Sequence, residues 1–377
     1  MNVLTSDFEV TTSNKGNPFD QTNKAVCLGL KDNHEDAWCD FTLDSPIQNY
    51  CNPDVWDLYV FFNAKFDLHW YRRLGFKLPN KIWCCQVAEF LLSGQKERYP
   101  SLDATAQRYG LGTKEDEVKL HYWDKGIDTD AIPQDRLSTY CCQDVSLTYQ
   151  IYLKQLAQFK AQPKLYKLFK LMCQDLLVLE EMEWNGLVYD KQLCEERSIN
   201  IGKEIAAIQE QLHHVYPELA INFGSGDQLS AWLYGGSIYS EDKEHIGFFK
   251  SGAKVGQPKF KNVIRETVLP RLVEPLKNSE LKKEGYYATD EATLQKLKGP
   301  AAKKYVGPLL KLAELQKLDS TYYKGLPKKA KEMNWPEGKI HGQFNQVVAQ
   351  TGRLSSSQPN LQNFSGDCLD IFITRFD

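Results

Sequence analysis

The chain has 377 residues, 42% of them hydrophobic and 25% charged, which suits two or three folded domains and excludes a disordered chain. Its net charge of −3 hides an asymmetry, because residues 1–150 carry 22 acidic and 15 basic side chains while the remainder has an excess of bases. No apolar stretch approaches the roughly 18 residues of a membrane span, and the first residues do not resemble a secretory signal. We therefore expect a protein that is neither membrane-bound nor secreted, with two separate tasks.

The first part of the chain alternates strand and helix patterns. Strands are predicted over Val3–Val10, Ala25–Leu30, Ala37–Phe41 and Leu58–Phe62. Helices are predicted over Lys65–Leu74, over Ile82–Leu92, and from Pro133 to about Phe159, where Pro163 closes the last one. Mixed strands and helices indicate a layered α/β fold.

From Leu165 onward the pattern is mostly helical. Helices are predicted over Leu165–Trp184, Lys191–Val215, Gln228–Tyr234, Asp290–Leu297 and Tyr305–Tyr323. Between them, residues 235–288 are rich in glycine and lysine, and Lys243 to Lys283 contains ten basic and four acidic side chains. This basic insertion is either a solvated surface loop or a segment that contacts phosphates.

Ten cysteines are present, but no C-x-x-C occurs in the sequence. Four of the cysteines form the adjacent pairs Cys84-Cys85 and Cys141-Cys142. In a chain of this length without a signal, we expect most of them to be reduced and to pack as small apolar residues, not to bind structural zinc.

Acidic residues stand at three informative places in the first part. Asp7 and Glu9 are two apart on a predicted strand, so both side chains leave the same face, unless this is only a solvated edge strand. Asp67 lies in the first turn of a helix that directly follows a strand, where a carboxylate also favours the helix dipole. Tyr140 and Asp144 are four apart on a helix and hence neighbours, either as part of a site or as a plain surface pair.

Together, the four carboxylates can converge at one edge of the sheet. Such a cluster repels itself unless cations fill it, and hard divalent cations with oxygen ligands fit it well. Two cations about 3.5–4 Å apart make a site for phosphoryl transfer, in which one generates hydroxide and the other stabilises the leaving oxygen. The hydroxyl of Tyr140 would then orient the attacking water.

The ordered motifs D-x-E, N-x-x-F-D and Y-x-x-x-D resemble the three motifs of proofreading 3′–5′ exonucleases with a ribonuclease-H-like fold. The matching residues are Asp7, Glu9, Asn63, Phe66, Asp67, Tyr140 and Asp144. The resemblance covers about Met1 to Gln158. It implies an active nuclease that binds two divalent ions, Mg²⁺ or Mn²⁺, through Asp7, Glu9, Asp67 and Asp144, with Asn63 on the DNA strand; the sugar preference, DNA or RNA, stays open.

The segment from Ile340 to Phe364, IHGQFNQVVAQTGRLSSSQPNLQNF, is polar and rich in amide and hydroxyl side chains. Such groups suit minor-groove acceptors that A·T and G·C pairs share. The segment resembles the TGRLSS…PNLQN segment of family A (polymerase-I-like) DNA polymerases, and of phage-type members in particular. That resemblance implies contacts with primer–template duplex by Arg353, Gln362, Asn363, Asn345 and Asn360.

Stretches upstream of this segment resemble the thumb of the same family. The resemblance implies an α/β, ribonuclease-H-like exonuclease domain over residues 1–160, a mainly α-helical thumb over residues 161–338, and the start of an α+β palm over residues 339–377. The basic insertion of the thumb, residues 235–288, could bind a processivity factor, grip duplex DNA, or do neither. The family also implies a cytoplasmic protein of a bacterial or phage-infected cell that acts in DNA replication.

The sequence departs from the family pattern at its end. The palm strand with a D-[YF]-S-Q-I-E-L-like string, the fingers lysine and tyrosine, and the H-D motif are absent from these 377 residues. We therefore expect no polymerase activity from this polypeptide alone. A palm and fingers polypeptide from a split gene would then be its partner, with an unpaired palm strand after Phe364; a truncated product is the other explanation. A non-catalytic DNA-binding subunit of a split polymerase is the alternative function.

Overall fold

A computed structural model describes residues 1–112, 117–252 and 254–374. Its first strands are β1 (Val3–Val10), β2 (Ala25–Asp32), β3 (Trp38–Asp40), β4 (Leu58–Phe61) and β5 (Ile82–Cys84). The helices among and after them are α1 (Ser45–Tyr50), α2 (Ala64–Arg73), α3 (Cys85–Leu92), α4 (Leu102–Arg108), α5 (Glu117–His121), α6 (Gln134–Lys160) and α7 (Pro163–Asn185).

The rest of the described chain is mainly helical, with several short strands. Its helices are α8 (Lys191–His213), α9 (Gly226–Tyr234), α10 (Glu291–Leu294), α11 (Pro300–Leu318), which continues as a π-helical turn, and α12 (Gly325–Glu332). Its strands are β6 (Leu187–Tyr189), β7 (Gly236–Phe248), β8 (Pro258–Leu269), β9 (Lys339–Ile340), β10 (Gln343–Asn345), β11 (Ser355–Ser357) and β12 (Phe372–Ile373).

The first five strands form one mixed sheet in the order β3-β2-β1-β4-β5. Strand β1 is antiparallel to β2 and parallel to β4, β4 is parallel to β5, and β3 joins the far edge antiparallel to β2. The core around this sheet contains the fully buried side chains of Tyr59, Trp70, Trp83 and Phe90. A mixed sheet with packed helices confirms the predicted α/β class of the first part.

Helix α6 packs along β1 and β2, so its buried face lies over the middle of the sheet. That face carries four fully buried side chains, those of Leu137, Cys141, Val145 and Ile151. Their successive spacings of four, four and six residues place all four on one side of the helix, as in an amphipathic helix. The helix therefore places any polar residue on the same face directly against the sheet.

The chain divides into two compact units, one made of residues 1–191 together with the residues from 326 onward, the other of residues 192–325. In the first unit, β6 is the central strand of a small antiparallel sheet ordered β12-β6-β9, and β10 pairs with β11 as a hairpin. The proposed boundaries at residues 160 and 338 stay a prediction, since compactness groups the chain by packing and not by function.

The second unit has its own core, built by α8, α9 and α11 around the fully buried Trp232. A long two-stranded hairpin, β7–β8, extends from it, with Gly236 opposite Leu269 at its base and Phe248 opposite Pro258 near its tip. Buried side chains occur at the base, at Ile238 and Leu269, whereas most of the remaining hairpin residues are exposed.

Three local predictions differ from the structure. The segment Ile82–Leu92 begins with strand β5, because Ile82, Trp83 and Cys84 are all buried and pair in parallel with β4. Pro163 starts α7, where its fixed backbone angle and missing N–H suit a first helical turn. The basic insertion, expected to be either a solvated surface loop or a phosphate-contacting segment, contains the β7–β8 hairpin.

The segment after Phe364 also differs from its prediction. Strand β12 pairs antiparallel with β6, Phe372 opposite Tyr189 and Ile373 opposite Val188, so the expected unpaired strand has a partner within the chain. No helix in the described part of the chain combines the length and the hydrophobicity that crossing a bilayer demands.

Candidate active site

Three carboxylates converge where β1 meets α6. Asp7 and Glu9 leave one face of β1, and Asp144 lies on the sheet-facing side of α6. One carboxylate oxygen from each of these three side chains lies within 4.8 Å of the other two. Glu9 and Asp144 are buried, and Asp7 is half-buried. The predicted juxtaposition of these residues is therefore present in the structure.

Asp67 joins this group from the first turn of α2. Its side chain is 1% exposed, and its Oδ1 accepts a hydrogen bond of 3.1 Å from the backbone N–H of Phe8, between Asp7 and Glu9. Burial, and then the nearby charge of Asp7, raise the pKa of Asp67 well above its usual value. A cation bound near Asp67 would therefore reduce the repulsion between its carboxylate and that of Asp7.

Gly29 controls how closely α6 approaches the sheet. It lies on β2, opposite Asp7 of β1 and Cys39 of β3. A β-carbon at this position would lie 2.5 Å from Cys141 Sγ and 3.0 Å from Val145 Cγ1, both on α6. Only a residue without a side chain leaves room for the helix, and this close approach places Asp144 beside Asp7 and Glu9.

Tyr140 lies one helical turn before Asp144. Its ring packs edge-to-face on Trp123, with the ring centroids 5.5 Å apart. It lines an open cleft together with Val118, His121 and Gln143. The cleft leaves part of the Tyr140 side chain accessible to solvent.

A second cleft, of about 210 Å³, lies beside the first turns of α2. Asn63, which precedes the first turn of α2, and Phe66 line one wall, and residues 343–347 line the opposite wall. The predicted strand-contacting Asn63 is exposed at this cleft. Asn63 and Phe66 of the N-x-x-F-D motif therefore line the same cleft as Asn345.

The link between these two walls is an ion-pair network that sequence patterns do not indicate. Lys65 Nζ contacts Glu183 Oε1 at 2.6 Å and also donates to the backbone carbonyl of Phe344. Phe344 donates its own backbone N–H to the same Glu183 oxygen, at 2.5 Å. A single buried carboxylate on α7 therefore holds both the start of α2 and strand β10.

His69 extends the network deeper into the protein. Its Nδ1 lies 3.1 Å from Glu180 Oε1 and its Nε2 lies 3.0 Å from Glu183 Oε2. Arg72 completes it with two hydrogen bonds to the Glu180 carboxylate. Burial alone would raise the pKa of both glutamates, but their hydrogen bonds with His69 and the charges of Lys65 and Arg72 outweigh it and lower both pKa values.

The predicted DNA-contacting residues lie along the β10–β11 hairpin and the turn that follows it. Asn345 of β10 donates to Ser357 Oγ at 3.2 Å, and Arg353 lies exposed between the two strands. Asn360 caps the 3-10 turn by accepting from the Gln362 N–H at 3.0 Å, and Gln362 and Asn363 are exposed. These residues are grouped near one another along the chain, separate from the carboxylate cluster.

The donor set of the cluster consists of carboxylate oxygens, which are the ligands of hard divalent cations. The residues present therefore fit a site for such ions. Asp7, Glu9 and Asp144 would supply the central donors, and Asp67 would add a fourth carboxylate next to Asp7.

Comparison with known proteins matches two family models to this chain. The model of the 3′–5′ exonuclease domain matches residues 15–158, which include Asp67, Tyr140 and Asp144 but not Asp7 and Glu9. The model of DNA polymerase family A matches residues 264–370, which include the predicted DNA-contacting residues. The two matches have the order that the sequence motifs predict.

The curated relatives are bacterial enzymes. DNA polymerase I of Synechocystis is 29% identical over 309 residues, 81% of this chain and 26% of the relative. DNA polymerase I of Pseudomonas aeruginosa is 29% identical over 277 residues, and that of Bacillus subtilis is 28% identical over 269 residues; each alignment covers 70% of this chain and 25% of the relative. The chain thus spans about a quarter of the length of these relatives.

A solved structure shares the fold of the chain. The POL domain of Pol1 from M. smegmatis, in complex with DNA primer-template and dNTP, superposes with a TM-score of 0.68 at 19% identity, covering 99% of this chain and 55% of that one. These findings confirm the predicted family resemblance and give no support to a non-catalytic subunit of a split polymerase. A phage-type origin stays a prediction.

Gly29→Ala should displace α6 and weaken the site. Because the added methyl group would overlap Cys141 Sγ, we expect the free energy of unfolding to fall by about 1–3 kcal/mol. Mn²⁺ affinity, measured by titration calorimetry, should fall as well, since Asp144 moves relative to Asp7 and Glu9. Gly202→Ala on α8, where a β-carbon meets open space, is the matched control. It should leave Mn²⁺ affinity intact and raise the free energy of unfolding by about 0.5–1 kcal/mol, because alanine is favoured over glycine in a helix interior. Unchanged stability of Gly29→Ala would contradict the close-approach argument.

His69→Ala should destabilise the protein in a pH-dependent way. Breaking a buried ionic network costs about 3 kcal/mol, because its glutamates lose their partner. In the folded protein the pKa values of Glu180 and Glu183 are lowered. The two ionised carboxylates therefore stabilise the fold fully at pH values above the usual glutamate pKa of about 4.3, and this stabilisation is lost as the pH falls through the lowered pKa values.

Urea unfolding of wild type and His69→Ala across acidic and neutral pH measures this dependence. The difference in free energy of unfolding should be largest near neutral pH and shrink below the usual glutamate pKa. His214→Ala, at an exposed histidine of the other unit, should show no such difference. A constant difference at every pH would contradict the assignment.

Proposed function

We propose that this chain removes nucleotides from DNA 3′ ends and holds primer–template DNA. Its sequence matches a 3′–5′ exonuclease domain followed by part of a family A DNA polymerase. The observation that carries the first activity is the convergence of Asp7, Glu9 and Asp144 within 4.8 Å, with Asp67 beside them. Such an activity would proofread newly made DNA during replication.

Two divalent ions, Mg²⁺ or Mn²⁺, are the proposed cofactors. When bound, such a pair supplies a nucleophilic hydroxide and stabilises the leaving oxygen of the phosphodiester. The four carboxylates hold the ions, and their fixed position on β1, α2 and α6 spares the site a costly reorganisation. Tyr140 orients the attacking water by its hydroxyl group.

The strand to be trimmed would enter beside α2. Asn63 and Phe66 line the cleft there, and an aromatic ring together with an amide suits stacking and hydrogen bonding to an unpaired nucleotide. Duplex DNA would lie against Arg353, Gln362 and Asn363, with Asn345 and Asn360 nearby; exposed amide and guanidinium groups can contact any base pair through the minor groove.

DNA synthesis would need residues outside this sequence. The family A motifs for the palm carboxylates and the fingers are not among these 377 residues. We therefore propose nucleotide addition only together with palm and fingers. A primer-extension assay with this polypeptide alone should show no DNA synthesis. A processivity factor would be a further partner. The basic residues of the β7–β8 hairpin are the proposed binding place for this factor or for DNA phosphates.

Asp7→Ala should abolish trimming and spare DNA binding. With a 5′-labelled single strand and Mg²⁺ or Mn²⁺, wild type should shorten the strand from its 3′ end, and the variant should be at least about a hundredfold slower, since loss of a direct ligand exceeds loss of an outer partner. Duplex affinity should stay within about twofold, because Asp7 lies outside the Arg353 segment.

Asp124→Ala, at an exposed acid outside the cluster, is the matched control and should trim at the wild-type rate. An RNA strand of the same sequence in the same assay reports the sugar preference. Failure of wild type to trim either strand with either metal would overturn the proposed activity, and trimming by Asp7→Ala would overturn the assigned site.

Arg353→Ala should weaken duplex binding and its salt dependence. Because the guanidinium charge of Arg353 would lie against the duplex, its removal should lower the slope of log affinity against log salt by up to about one. Arg98→Ala, at an exposed arginine outside this segment, is the control and should leave the slope intact. Fluorescence anisotropy with a labelled primer–template duplex measures both, and an unchanged slope together with unchanged affinity would remove Arg353 from the interface.

A further inference from the structure

Three cysteine thiols converge on the face of the sheet that α6 covers. Cys27 lies on β2, Cys39 on β3 and Cys141 on α6. Their Sγ atoms all lie within 4.8 Å of one another. We infer that Cys27, Cys39 and Cys141 form a binding site for a soft, thiophilic cation such as Zn²⁺. The site adjoins the carboxylate cluster, since Cys27 lies opposite Glu9 on the neighbouring strand, but its ligands are thiols.

The arrangement follows from strand register. Cys39 lies opposite Gly29 on the neighbouring strand, and Cys27 lies two residues before Gly29, so both thiols lie on the sheet face that Gly29 opens to α6. Cys141 is the α6 residue that approaches Gly29 most closely. Because Gly29 has no side chain, α6 packs close to the sheet. The thiol of Cys141 therefore lies beside the thiols of Cys27 and Cys39.

The chemistry of the donors selects the class of ion. Thiolate sulfur binds soft and borderline cations such as Zn²⁺, Cd²⁺ and Cu⁺, whereas carboxylate oxygen binds Mg²⁺, Ca²⁺ and Mn²⁺. A soft ion would therefore sort to the thiols and a hard ion to Asp7, Glu9 and Asp144. Both groups are anchored on α6, but they offer opposite ligand types.

Access and surroundings also suit an ion site. Cys27 and Cys141 are fully buried, and Cys39 is half-buried. The cluster therefore has a closed inner side made by two thiols and an outer side, at Cys39, through which an ion can enter.

A bound ion would join three separate elements. Coordination by all three sulfurs would tie α6 to β2 and β3, and an ion that binds only the folded state stabilises it in proportion to the logarithm of its concentration over its dissociation constant. Binding exchanges three thiol protons for the cation, so no oxidant takes part. The expected result is tighter fixation of the helix that carries Tyr140 and Asp144.

The direct test is titration of the reduced protein with Cd²⁺, under a phosphine reductant, while the thiolate-to-cadmium charge-transfer absorption is recorded. Wild type should bind one equivalent with this absorption, and Zn²⁺ should displace it. Cys39→Ser should lower the affinity at least about tenfold. Cys51→Ser, at a buried cysteine outside the cluster, is the matched control and should bind like wild type. No charge-transfer band in wild type, or an equal band in Cys39→Ser, would overturn the site.

A second measurement uses the unmodified protein, in case a buried serine prevents folding. Alkylation of the native protein with and without Cd²⁺, followed by peptide mass spectrometry, reports which thiols the ion covers. Protection of Cys39 with no protection of its partly exposed neighbour Cys142 supports the site. Equal labelling of Cys39 in both conditions overturns it. Excess Mg²⁺ should leave the protection pattern unchanged, which separates this site from the carboxylates.

Discussion

Mutual repulsion among acidic side chains in a region with little water is the constraint around which the first unit is built. Asp7, Glu9, Asp67 and Asp144 approach one another from one strand and two helices. Their charges oppose this arrangement, so the backbone must impose it. Strand β1 does so from the middle of the sheet, with its apolar side chains in the core, and α6 does so through its contact at Gly29. Any cation that binds there relieves a strain that the fold already bears.

A second set of buried charges, nearby on α2 and α7, illustrates the opposite arrangement. Lys65, His69 and Arg72 alternate there with Glu180 and Glu183, and the glutamate pKa values are lowered. The pKa of Asp67 is raised instead. The direction of the shift thus distinguishes a cluster that holds the structure together from a cluster suited to an external ion. Because Lys65 lies two residues before Asp67, one short helix belongs to both clusters.

Sequence patterns predicted the central strands, the long helices and the convergence of Asp7, Glu9 and Asp144, because these depend on local periodicity and on short motifs. The alternation in Val3–Val10 indicates the strand and also puts Asp7 and Glu9 on one face. The three-residue strand β5 was missed, because a run as short as Ile82–Cys84 has no period of its own. The β7–β8 hairpin was missed because most of its residues are exposed on both faces, which removes the alternation.

Contacts between distant segments were beyond prediction for a different reason. Glu183 and Phe344 meet through the tertiary fold, and nothing in the residues around either one specifies the other. The three clustered thiols come from positions 27, 39 and 141, a spacing that matches no short metal-binding pattern. Gly29 carried no visible signal either, although a glycine within a predicted strand can mark close approach of another backbone or helix.

The β7–β8 hairpin is attached to the second unit by a narrow base. Gly236 and Leu269 face each other across the two strands, so the ends of a segment of more than thirty residues lie side by side. A segment with adjacent ends and few buried side chains can lengthen, shorten or be exchanged without disturbing the core beneath it, because a two-residue turn suffices to close the gap. The hairpin can therefore change in length or composition without altering strand β1, which bears Asp7 and Glu9.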